Sequence, residues 1–169
     1  MAIKFLSTVA VDTDVLYVDA AANKVGIGTT SPARQLTLSG NSSPVVSLKS
    51  NTTVGEPSIF FGDTADDKAG RLVYSNSDNS MRIFTNQYER AVVNKNGDTG
   101  IGVTLPRAKL DVNGGVKVAD DTDSAGVSKV GTLRYRYVPG SPKNYSYVDM
   151  CMQTGVNTYG WVNIVSNVW

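Results

Sequence analysis

Along the chain, apolar residues recur at every second position in short runs and almost nowhere at helical spacing over a long window, which predicts an all-β protein with little helix. Leu36 and Leu38 alternate with Gln35 and Thr37, Leu110 and Val112 with Lys109 and Asp111, and Leu133, Tyr135 and Tyr137 with Arg134 and Arg136. Each run reads as a strand with one apolar, buried face and one polar, wet face. Further strands are predicted at 15–19, 45–49, 58–61, 71–75, 81–85, 90–94, 145–152 and 161–165, with a single helical turn at 64–68. Between them stand Ser77-Asp78-Asn79, Asn96-Gly97, Asn113-Gly114-Gly115 and Pro139-Gly140-Ser141-Pro142, residues that accept positive φ or preset a bend where hairpins close.

The pattern also repeats. Residues 26–40 reappear as 100–114 at an offset of 74, and seven of the 15 positions are identical: Gly26, Ile27, Gly28, Thr30, Pro32, Leu36 and Gly40 pair with Gly100, Ile101, Gly102, Thr104, Pro106, Leu110 and Gly114. A short strand and a polar turn precede each copy, Leu16-Tyr17-Val18-Asp19 before Asn23 and Ala91-Val92-Val93-Asn94 before Asn96-Gly97. The unit is a strand, a tight turn, Gly-Ile-Gly, a Pro-led bend and an alternating strand ending in Gly. Its glycines permit close backbone approach, and its lone isoleucine offers one apolar knob per copy. Strands too short to build a core alone suit several chains meeting around an axis, with Ile27, Ile101, Leu36 and Leu110 as the expected trimer core.

Composition removes several classes of function. The 169 residues suffice for one domain or two small β modules. With 41% hydrophobic and 18% charged residues the chain is neither charge-rich nor lipid-like, and no apolar run is long enough to span a bilayer. A net charge of +1 gives no field to gather nucleic acid or anionic lipid. Residues 1–10 lack the apolar run of a signal peptide, so synthesis in a cytoplasm without a standard leader is expected. The lone Cys151 alternates with polar neighbours and reads as a reduced, buried thiol. Histidine is absent, and with it the commonest general base and the usual nitrogen ligand of zinc.

The second copy, Asn96-Gly97-Asp98-Thr99-Gly100-Ile101-Gly102-Val103-Thr104-Leu105-Pro106 continuing into Lys109-Leu110-Asp111-Val112-Asn113-Gly114, resembles the Gly-Ile-Gly-Thr-x-x-Pro motif and following Lys-Leu-x-Val-x-Gly strand of bacteriophage virion fibre and tail-fibre proteins. It departs from that motif in having Val103 where Thr is usual. Residues 15–118 carry the resemblance. Gly131-Thr132-Leu133-Arg134-Tyr135 and Gly160-Trp161-Val162 are similar to a shorter, less specific terminal hairpin of such proteins. The resemblance implies a parallel homotrimer, a role in the particle and no catalysis; docking to other virion proteins through the amino terminus is expected. It places the protein on the virion surface, made in the host cytoplasm.

Competing chemistries are weaker. Gly26-x-Gly28 lacks the third glycine and the following helix of a dinucleotide-binding turn, so no cofactor is expected. Asp63, Asp66 and Asp67, and likewise Asp120, Asp121 and Asp123, lack EF-hand spacing and read as solvated loop acids, so no metal is expected. No nucleophile-base pair is apparent, and a glycosidase would need two positioned carboxylates in a groove. Tyr135, Tyr137, Tyr145, Tyr147, Tyr159, Trp161 and Trp169 cluster near the end. Cross-strand packing accounts for most of them, and Tyr145, Tyr147, Tyr159, Trp161 and Trp169 are the candidate receptor or partner surface. The plan is a lead-in arm over 1–20, a repeat-flanked β body over 21–119, a polar linker over 120–129 and a terminal β module over 130–169. It describes short antiparallel strands and hairpins intertwined in a homotrimeric fibre-like assembly. The expected function is a short trimeric fibre or capsid-decorating component, with a receptor-binding adhesin that grips a host-surface glycan as the alternative.

Overall fold

A computed structural model describes residues 9–11 and 15–168. The outer part of the expected lead-in arm and Trp169 lie outside the described residues. The chain forms three sheets in sequence order. The first contains β1 (Val9–Val11), β2 (Leu16–Asp19), β3 (Lys24–Ile27) and β4 (Leu36–Leu38), in that spatial order. The second contains β5 (Ser58–Phe61), β6 (Gly70–Ser75), β7 (Ser80–Thr85), β8 (Tyr88–Val93), β9 (Thr99–Ile101) and β10 (Leu110–Val112), each beside its sequence neighbour. The third is a meander of β11 (Leu133–Val138), β12 (Tyr145–Gly155) and β13 (Thr158–Val168). All pairs are antiparallel except β3 with β4 and β9 with β10, which run parallel. The one regular helical segment among the described residues is a 3-10 turn at Val127–Lys129.

The sequence repeat is a repeat of geometry. Val25, Gly26 and Ile27 face Leu36, Thr37 and Leu38, just as Thr99, Gly100 and Ile101 face Leu110, Asp111 and Val112. The bracing hydrogen bonds also recur: Val25 N–H donates to the Gln35 carbonyl (2.7 Å) and Ser39 N–H to that of Ile27 (2.8 Å). Thr99 donates to Lys109 (2.9 Å) and Asn113 to Ile101 (3.0 Å) in the same way. The two copies differ upstream. Tyr17 pairs with Gly26 but Val92 with Gly100, so the span from the motif glycine back to its partner is one residue shorter in the second copy. Asp19 and Asn94 do the same work in these turns, each accepting a backbone N–H on its side-chain oxygen.

Both glycines of the motif have steric reasons. A Cβ on Gly26 would strike the Thr29 carbonyl oxygen, and one on Gly100 would strike that of Val103, because the Pro-led bend folds back over the strand. Gly28 and Gly102 take φ of 72° and 68°, a left-handed conformation that reverses the chain toward the parallel partner.

Several expectations need correction. Residues 45–49 form no strand, since no described segment of the chain pairs with them; Val46, Leu48 and Lys49 lie as a strap beside Ile59, Leu72 and Met81 of the second sheet. Residues 64–68 make a turn instead of helix, because the Asp63 side chain takes the Ala65 and Asp66 N–H groups and Asp66 takes that of Lys68. Residues 16–19 belong to the first sheet and not to a separate arm. The turn at Asn113-Gly114-Gly115 closes no hairpin, because β10 already pairs in parallel with β9. The β7–β8 hairpin turns at Asn86-Gln87, both at positive φ, which the sequence reading had not marked.

The core is small. Val73, Val92 and Cys151 are the buried hydrophobic residues among those described, and Cys151 is a free thiol, as its place in the sequence suggests.

Replacing Gly100 by Ala should lower the urea midpoint by an amount equivalent to about 2 kcal/mol or more, since the backbone carbonyl it meets cannot move aside cheaply. The matched control Gly40→Ala, with nothing within 4 Å of the new methyl, should change it little.

Candidate interaction surface

Cross-strand register in the second sheet lines up one row over all six strands: Val112, Ile101, Ala91, Ile83, Leu72 and Ile59. Every member is apolar. Beside it runs Leu110, Thr99, Val93, Met81 and Tyr74. This face is open: Ile59, Ile83 and Ile101 are each 47% exposed. The expected core residues sit on such faces without being buried, with Leu36 and Leu110 both 58% exposed and Ile27 43%. The structure places Ile27 and Leu36 together on the first sheet, and Ile101 and Leu110 together on the second.

The reverse face of the second sheet is closed by polar side chains. Phe60, Arg71, Phe84 and Glu89 face one another across four strands, and the Arg71 guanidinium lies 4.3 Å from the centre of the Phe84 ring. In the next row Arg82 lies between Val73 and Val92, donates to Ser80 Oγ (2.8 Å), and is paired with Asp78 and Glu89. Burial pushes the Glu89 carboxyl up, with Arg82 partly opposing it. Hydrogen bonds from Ser80 and Ser75, with a further contribution from Arg82, hold Asp78 down at about 2.

The third sheet has the same polarity, which inverts the expectation for its first strand. Leu133, Tyr135 and Tyr137 are exposed, whereas Arg134 and Arg136 are half-buried. The cause is a buried carboxylate. Asp149, on β12, accepts from Arg134 Nε at 3.0 Å, Arg136 Nε at 3.2 Å and Asn163 Nδ2 at 3.2 Å. Burial raises its pKa, but the Asn163, Arg136 and Arg134 hydrogen bonds outweigh that and leave it below the usual carboxylate value. Arg134 also stacks 4.1 Å from the Trp161 ring and donates to the Asp121 carbonyl (2.7 Å), while Trp161 Nε1 donates to the Asp123 carbonyl (3.1 Å). Lys129 bridges the Asp121 and Asp123 carboxylates at 2.6 and 3.0 Å. Residues 120–129, read from composition as a linker, are therefore fastened to the module that follows them.

Among the terminal aromatics, Tyr147 stacks on Arg136 at 4.2 Å and lies parallel to Tyr145 with ring centres 6.3 Å apart. Trp161 is half-buried in the arginine brace, Tyr159 is half-buried on β13, and Tyr145 is the exposed member of this set. The brace of Arg134, Arg136 and Asp149 was missed in sequence reasoning. Its signal was an acid amid the apolar run of β12, opposite an Arg-x-Arg strand. Asp63 and Asp66 serve their own turn and Asp121 and Asp123 hold Lys129, and among the described residues no group of three or more Cys, Asp or Glu could hold a metal ion. Among the described residues no helix is long and apolar enough to cross a membrane.

Asp149→Ala leaves two half-buried arginines without their acceptor and should cost about 3–5 kcal/mol in urea unfolding, with Asp149→Asn milder. Asp149 and Asp78 both have folded pKa values below their unfolded ones, so their contribution is full above pH 3.8 and is lost as pH falls through the folded values. The urea midpoint should thus hold down to about pH 4 and drop toward about pH 2, less steeply in Asp149→Asn.

No protein-family model matches this chain, and no curated protein does.

Proposed function

We propose that this chain is a non-enzymatic structural component of a bacteriophage particle, a short fibre or capsid-decorating element on the virion surface that works as a homotrimer. The observation that carries the reading is the doubled unit of hairpin, Gly-Ile-Gly bend and parallel strand, which repeats in register and hydrogen bonding as well as in sequence. That unit bears the fibre-like motif, and stacking such units builds length without a large core.

The homotrimer draws support from surface area. The chain exposes 12677 Å², roughly half as much again as the ~8,000 Å² usual for a compact monomer of its 18.0 kDa mass. Among the described residues, three buried hydrophobic side chains are a slender core for three sheets. Each half-exposed isoleucine leaves about 1 kcal/mol of burial unrealised, and association would recover it. Stability and assembly then form one equilibrium. Docking to other virion proteins would fall to the amino terminus. The adhesin alternative rests on the terminal aromatics, of which Tyr147 and Trp161 already stack on arginines and Tyr145 is open.

Light scattering of the purified full chain should give three times the chain mass, and Ile27→Asp with Ile101→Asp should shift it toward monomer with loss of stability. A well-folded single subunit in dilute solution would overturn the reading.

A further inference from the structure

We infer that the surface joining the copies is the apolar side of the second and third sheets together with the two straps that cross them, and that its occupant is the same surface of a neighbouring copy. The inference rests on the homotrimer reading and names its contact. Pro44 to Leu48 follow the first copy of the repeat, and Val116 to Val118 follow the second. Each strap makes a groove with the open face of the sheet that comes next. Val46 and Leu48 line one of about 540 Å³ with Ile59, Leu72, Tyr74 and Met81. Val116 and Val118 line one of about 480 Å³ with Leu133, Tyr135 and Val148. The same device is thus built twice, in the same order along the chain.

The lining decides the kind of occupant. Neither groove contains an acid, and the charged residues at their walls are Lys49 in the first and Lys117 in the second, with Arg134, whose guanidinium is held by Asp149 on the opposite face, also bordering the second. Aliphatic and aromatic walls call for aliphatic and aromatic knobs, and the chain presents these on the same faces: Ile83, Ile101, Val93 and Val165. A cyclic assembly closes when one chain carries both patch and complement, which this surface does. The excess exposed surface is of the size that obligate interfaces bury, well above a transient contact. The opposite faces, closed by Arg71, Arg82, Arg134 and Arg136 over rings and carboxylates, have satisfied most of their polar groups within the chain and turn toward solvent.

Two residues of nearly equal exposure in the single chain give a direct test. Ile83 on the apolar side is 47% exposed and Phe60 on the arginine side 48%. Ile83→Cys and Phe60→Cys are made separately in the full chain, with the fully buried Cys151 of the unaltered chain as background, and maleimide labelling rates and native mass are measured on the same samples. The expected result is a trimer in which the cysteine at 83 reacts on the order of 100-fold more slowly than that at 60, because labelling waits for the interface to open. Leu133→Cys should be slow as well, and denaturant should equalise all three rates. Equal rates in a sample of trimer mass would overturn the assigned surface and leave the homotrimer standing. A folded monomer with equal rates would overturn both.

Discussion

The structure depends on a one-sided closure of its sheets. On one side of the second and third sheets, arginines lie flat on aromatic rings and reach buried or half-buried carboxylates, so much of that side is closed by the chain itself. On the other side a row of aliphatic residues crosses every strand of the second sheet, and among the described residues only a partial strap lies above it. A sheet buries its apolar face against a second layer, and the described residues supply no second layer of their own. The small core, the half-exposed isoleucines and the large surface follow from that single fact.

The repeat fits the same constraint. Each copy turns a hairpin into a parallel strand within a few residues, which is possible because the first motif glycine lets a carbonyl cross over the strand and the second reverses the backbone at positive φ. Parallel neighbours ordinarily need a long crossover, and here the Pro-led bend is the crossover. The crossover is held to residues 28–35 and 102–109, and the unit leaves its isoleucine and leucine half-exposed, ready for a layer that comes from elsewhere.

The brace around Asp149 shows why the third sheet can be so exposed and still hold a defined shape. A buried carboxylate shared by two arginines and an asparagine is a poor source of net stability but a demanding one in geometry. Through Arg134 and Trp161 it also fixes residues 121 and 123, so the approach to the third sheet is set by hydrogen bonds to side chains far along the sequence.

Strand class, the doubled Gly-Ile-Gly unit, the buried thiol and most turns were legible in the sequence, because they are written in period-two alternation, glycine sterics and turn chemistry, all of which act over a few residues. The parallel pairing after each motif, the strap at 45–49 and the anchoring of 120–129 were decided only in three dimensions. So was the side of each sheet that is closed. Alternation in Leu133, Arg134, Tyr135, Arg136 and Tyr137 separates two faces but cannot say which is covered; Asp149, Trp161 and Tyr147, brought in from other strands, cover the arginines and leave the tyrosines on the half-exposed face. Local periodicity assigns residues to faces, and only long-range partners, meeting through the fold, assign a face to the inside.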